Sequence, residues 1–349
     1  MMTFARVLVA LIGFGIVGMT VVSAIKTFIL PRGIDVWLTR VVFNGVGFFF
    51  RLRAKRTKSY EDRDQVMALF APVTLFIMPI VLLSLILVGY ICLFWAIEVR
   101  PLADLFKLSG SSLLTLGYAS ADTVLSKMLE FSEAMIGLIM VALLIAYLPT
   151  MYSAFAKRET NVALLETWAG SPPSAVEMIA RSHRTGQLEQ LDPVWRNWQI
   201  WFAELEESHT SLAALAFFRS PHPNRSWVTA AGTILDTAAM MLSVVDVDWT
   251  PQAAVCLRTG FLSLREIGTF FNIRFDPAPA PGDPIRISRA EFDEVCRELA
   301  ARNVPLKDDR EKAWRDFSGW RVNYDTVLIA LASLTMAPYA PWSSDRQPE

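Results

Sequence analysis

Cysteine, histidine and charge are all scarce in this chain. Its 349 residues include 3 cysteines and 3 histidines, and only 19% carry a charge. Cys92, Cys256 and Cys296 are too few and too scattered for a disulfide framework. There is no CxxC pair and no HExxH, so a zinc site has no local support. A glycine-rich phosphate loop is also missing, as is any sustained alternation of polar and apolar residues that would mark strands. The formal net charge of −1 lacks the strong basic excess of a nucleic-acid-binding protein.

Apolar residues are what the chain has in abundance. They make up 53% of it, and the mean hydropathy is +0.36. Soluble domains sit lower, so the excess asks for a membrane. Charge is also divided unevenly. Residues 1–159 hold 15 Lys and Arg against 10 Asp and Glu, whereas residues 160–349 hold 18 against 24. The front half is therefore apolar with scattered cations, and the back half is acidic.

Three runs reach the roughly 20 residues that a bilayer demands. Val7 to Ile25 is 19 residues without a charge, Val66 to Ile97 is 32, and Ala134 to Ala156 is 23. As a helix the middle run is roughly 48 Å long, so it should tilt or overrun the lipid, with Pro72 and Pro79 as bends. The first run also fits a secretory signal, with Val22-Ser23-Ala24 as the cleavage-like site. Cleavage would leave the basic cluster of residues 51–58 outside, where cations are disfavoured. That cluster is expected in the cytoplasm, with span 66–97 running outward, span 134–156 returning, and the C-terminal half cytoplasmic at the cell (inner) membrane. Ile34 to Phe50 reads as an interfacial helix, or else as a fourth span. The expected organisation is a first transmembrane helix in 1–32, and the interfacial helix and basic loop in 33–65. A pore domain follows in 66–156, a helical cytoplasmic domain in 157–275, and a proline-rich linker, small helical region and tail in 276–349. The fold class is all-α.

The segment between the second and third runs carries the candidate chemistry. Pro101 suits the start of a helix, and Asp104 falls in its first turn, where the dipole favours an anion. The helix of 101–114 is too short to span but long enough to re-enter, and it runs into Thr115-Leu116-Gly117-Tyr118-Ala119. Non-helical backbone at membrane depth survives where it is buried in protein or lines a watery path. A short helix aimed inward, followed by carbonyls on a pore axis, would replace the water shell of a cation.

In these residues the chain resembles the pore-loop potassium channels, whose filter reads Thr-Val-Gly-Tyr-Gly between two spans. The likeness covers roughly residues 66–156. It implies a homotetramer in the lipid bilayer that conducts K⁺ or another monovalent cation, with no cofactor and no enzyme activity. Thr115 would supply its hydroxyl at the inner end of the filter, and Leu116, Gly117, Tyr118 and Ala119 their carbonyls. Ala119 replaces the second glycine, a position whose backbone glycine tolerates best; a positive φ there would cost about 1–2 kcal/mol. Ser120 replaces the usual acidic residue. In the third run Gly137 is a hinge candidate, and Pro149 marks a bend near the gate. Two other readings remain: a non-conducting channel-like sensor or assembly subunit, and a membrane-anchored enzyme in the C-terminal half.

The C-terminal half reads as a helical bundle. The last span should continue past Lys157 until Gly170-Ser-Pro-Pro173 breaks it. Ser174-x-x-Glu177 and Ser288-x-x-Glu291 have the form of capping boxes. Helices are expected over 195–209, 211–219, 225–244, 250–271, 288–302 and 324–336, with 276–284 as a stiff linker. Trp195, Trp198, Trp201 and Phe202 form a stripe suited to a core or a membrane contact. Glu204, Glu206, Glu207 and His209 read as a solvated helix end, and His183 and His222 as surface. Arg181, Arg184 and Arg196 are candidates for an anion but lack a phosphate loop.

Overall fold

The computed structural model describes residues 2–29, 37–54, 56–57 and 59–346. Among them there is no β-strand, only one isolated bridge between Val245 and Leu306. The chain divides into two compact units, Met1–Arg56 with Val66–Tyr152, and Thr57–Gln65 with Ser153–Glu349.

The first unit is built from α1 (Met2–Phe28), α2 (Trp37–Ala54), α4 (Phe70–Ile97), α5 (Leu102–Leu113) and the front of α6 (Val124–Ala169), with α3 (Tyr60–Ala68) preceding α4 along the chain. Three helical stretches, Phe4–Phe28, Tyr60–Ile97 and Val124–Ala169, are long and apolar enough to cross a membrane. That is consistent with a multi-pass membrane protein. Glycines set the crossing of α1 and α4. A Cβ on Gly13 would stand 2.7 Å from the Gly89 carbonyl, and one on Gly89 would stand 2.6 Å from Val17 Cγ2. Between helices in lipid, close backbone approach replaces the hydrophobic drive of water. Beside this crossing Ile86, Tyr90 and Phe94 of α4 bury Leu105 and Leu108 of α5. Phe14, Phe76 and Leu138 stay exposed, as a lipid-facing surface requires. Pro72 falls in the first turn of α4, where its missing N–H costs nothing, whereas Pro79 and Pro149 lie inside α4 and α6. α2 covers most of the ambiguous segment, while Ile34 to Val36 lie outside the described residues. Its Leu38 and Val42 are buried with Met78 and Leu82 of α4, and its Phe48 and Phe49 are exposed.

The second unit packs around α9 (Trp227–Ser243), all of whose residues are buried. Alanines and glycine let neighbours approach it: a Cβ on Gly260 of α10 (Pro251–Phe270) would stand 2.6 Å from Leu235. α8 (Asp192–Ser211) contributes the aromatic stripe, and Trp195, Trp198, Trp201 and Phe202 are all core residues. α6 does continue past Lys157 and stops at Ala169, before the Gly-Ser-Pro-Pro break. α7 (Ala175–Arg184), α11 (Arg289–Ala301) and α13 (Asp325–Thr335) match expected helices, and a further helix, α12 (Arg310–Arg321), was not foreseen. The Ser288–Glu291 capping box forms in full.

Three expectations for this unit are overturned. Residues 211–219 form only a 3-10 turn at Ala213–Phe217 rather than a helix. Its residues Ala214, Leu215 and Ala216 are all buried, so tertiary packing sets the path. At α7 the Ser174 side chain makes no capping bond, and the Glu177 carboxylate that would complete the box is taken by Arg181 at 2.6 Å and Arg302 at 2.6 Å. His209 is not a solvated residue; it is wholly buried, with its ring 4.7 Å from that of Trp227.

Candidate pore loop

The loop between the long helices starts from a helix end. α5 opens after Pro101 with Asp104 in its first turn. It closes with two bonds, from Thr115 N–H to the Ser112 carbonyl (3.0 Å) and from Leu116 N–H to the Ser111 carbonyl (2.8 Å). This pair is a Schellman cap, whose central residue is normally a glycine in the left-handed region. Here that residue is Thr115, with φ of +54°. A β-branched side chain pays heavily for this backbone, so the strain expected at Ala119 stands at Thr115 instead. Ala119 is not among the positive-φ residues, while Gly117 has φ of +71°. Thr115 to Tyr118 therefore forms a turn and an irregular segment rather than an extended strand.

Polar groups behind the loop hold it. Ser111 Oγ accepts from Ala119 N–H at 3.0 Å and lies 3.3 Å from the Ala119 carbonyl, to which it donates. Glu130 of α6 accepts from Ala121 N–H at 2.9 Å. One turn further on, buried Glu133 accepts the Ser109 hydroxyl at 2.5 Å, and its second oxygen has no partner. Sequence reasoning missed Ser109, Ser111 and Glu130. Their signal was two carboxylates one helical turn apart, facing a serine-rich helix end.

The entrance of the loop is braced to its exit. Arg100 pairs with Glu98 at 2.6 Å and with Asp122, while Glu98 accepts the Ser126 hydroxyl at 2.6 Å. The Ser126 bond first, then Thr123 and Arg100, hold the Glu98 carboxyl below its ordinary value.

Leu116 and Tyr118 are 59% and 64% exposed, and Thr115 and Gly117 are exposed beside them; Ala119 is half-buried. The five residues are contiguous and largely uncovered. Gly137 lies under the end of α5, where a Cβ would meet the Leu113 carbonyl at 2.2 Å. Pro149 is exposed inside α6.

No metal cluster of His, Cys, Asp or Glu exists among the described residues. The acidic group in α8 is dispersed among different partners: Glu204 pairs with Lys157 and Glu206 with Ser263. Arg181 is spent on Glu177 and the Thr167 carbonyl, while Arg184 and Arg196 are exposed. No family model, curated protein or solved structure matches the chain.

Proposed function

We propose that this chain is one subunit of a pore-loop cation channel, passing K⁺ or, with weak selectivity, other monovalent cations through a tetrameric pore. The observation that carries the reading is the uncovered run Thr115 to Tyr118. It follows a 12-residue helix and lies between two spanning-length helices. One such run is a quarter of a filter; four copies around an axis would cover each other's loops and direct carbonyls at a dehydrated ion. The C-terminal end of α5 adds the negative end of a helix dipole beneath it. In this reading Gly137 and Pro149 serve as hinge and gate positions in α6 and the second unit modulates opening; the excess of Lys and Arg in residues 51–58 supports a cytoplasmic position for that unit.

Thr115 in the helix cap favours a second reading, a non-conducting sensor that keeps the loop without an extended filter. Cation flux into liposomes holding the purified full chain separates the two. Under the channel reading K⁺ enters, and Thr115→Ala or Gly117→Ala changes the rate or the K⁺ to Na⁺ ratio. Ala119→Gly sharpens selectivity. Absence of flux in the parent and in Ala119→Gly alike supports the sensor.

A further inference from the structure

The turn after α8 holds both stretches of the second unit that adjoin the spanning helices in sequence. Arg158, on α6 and buried, donates to the Leu215 carbonyl at 2.9 Å and to the Phe218 carbonyl at 2.7 Å. The next residue, Arg219, pairs with Asp64 just ahead of α4. Its other nitrogen donates to the carbonyls of Thr335 (2.9 Å) and Met336 (3.1 Å), at the end of α13. Five residues, Leu215 to Arg219, thus tie together the chain entering α4, the chain leaving α6 and the far end of the second unit.

A titratable group sits inside this tie. His209 Nε2 is 3.2 Å from Arg158 Nη1, and its Nδ1 is 3.2 Å from Ser208 Oγ. From α9 the Trp227 ring covers it, and the 3-10 turn offers only carbonyls, which Arg158 uses. Glu159, the next residue on α6, is bound to Arg158 at 2.8 Å. An imidazolium here would set a second cation against the guanidinium in a dry site.

From this geometry we infer that residues 215–219 are a latch on the two membrane-adjoining stretches, and that protonation of His209 opens it. Burial first, and Arg158 second, hold His209 well below its ordinary value while the latch is closed. A histidine depressed in the closed form stabilises that form above its ordinary pKa, and the stabilisation falls away as pH drops below about 6.5. What opening does to flux rests on the channel reading; the latch does not.

Hydrogen exchange of the full chain in lipid nanodiscs tests it, with labelling times scaled to the intrinsic pH dependence of exchange. From pH 7.5 to 5, exchange of 153–165 should accelerate by up to about tenfold per pH unit below 6.5. His209→Gln should remain slow at pH 5. Arg219→Ala should free residues 59–68 at every pH and leave the profile of 153–165 intact. A flat profile in the unaltered chain, which needs no variant to fold, overturns the latch, as does an identical profile in His209→Gln. Flux that follows the same pH range and is flattened by His209→Gln ties the latch to the pore. Flux that ignores pH while exchange responds overturns that tie. Total absence of flux counts against the channel reading, with the latch decided by exchange.

Discussion

Gly137→Ala is the sharpest perturbation of the first unit. A Cβ there would fall 2.2 Å from the Leu113 oxygen and 3.2 Å from its carbon, both backbone atoms. Ordinary contact needs roughly 1 Å more, and no side-chain rotation supplies it. Either α5 lifts from α6 or α6 bends. The cost is that of inserting a methyl into a close-packed contact, about 1–3 kcal/mol. The displaced carbonyl belongs to the helix end that carries Thr115, so the loop moves with it. Unfolding of the detergent-solubilised chain should show a lower midpoint, and flux should change. Gly18→Ala is the control: nothing lies within 4 Å of its added Cβ, and helix propensity favours alanine by up to about 1 kcal/mol. If Gly137→Ala unfolds like Gly18→Ala and conducts like the parent, the close contact between α5 and α6 is wrong.

Four further outcomes, in two pairs, follow from the geometry. Thr115→Gly relieves the left-handed backbone and should stabilise the loop by about 1 kcal/mol, whereas Gly117→Ala imposes the reverse cost of about 1–2 kcal/mol; both are read in the same unfolding assay. Arg321→Met strands two buried carboxylates, Asp236 at 2.6 Å and Asp325 at 2.7 Å, and should cost about 3–5 kcal/mol in denaturant unfolding, while Lys312→Met, at an exposed pair with Asp316, should cost under about 1 kcal/mol.

What the sequence disclosed was whatever depends on neighbours along the chain. The uncharged runs mark the spanning-length helices because hydropathy is a sum over adjacent residues. Gly170-Ser-Pro-Pro173 ends α6, and Ser288 with Glu291 caps α11, for equally local reasons. Ser174 and Glu177 have the same spacing as that box, yet Arg302, 125 residues away, claims the carboxylate. Long-range partners decided the other misses too. His209 looked polar among glutamates but lies on the face of α8 that meets Trp227 and Arg158. The left-handed Thr115 was hidden because its motif pointed to an extended filter strand, and a cap normally announces itself with glycine. At the loop, the five residues were legible as a string; the serines and glutamates that brace them were not, because each reaches across from another element.

The ionic centre of the second unit bears on the order in which the chain is made. Arg321 gives its third arm to the Trp342 carbonyl at 2.5 Å, and the Trp342 ring lies 5.5 Å from that of Phe317. Arg346 then reaches back to Glu291 at 2.6 Å. During synthesis these partners emerge after every helix of the unit. Until they do, a charged guanidinium waits beside Asp236 with one donor facing a gap. The ionic centre can therefore be completed only once Trp342 has left the ribosome, and a chain cut short of that residue keeps the Asp236 and Asp325 pairs but lacks the carbonyl that takes the third donor.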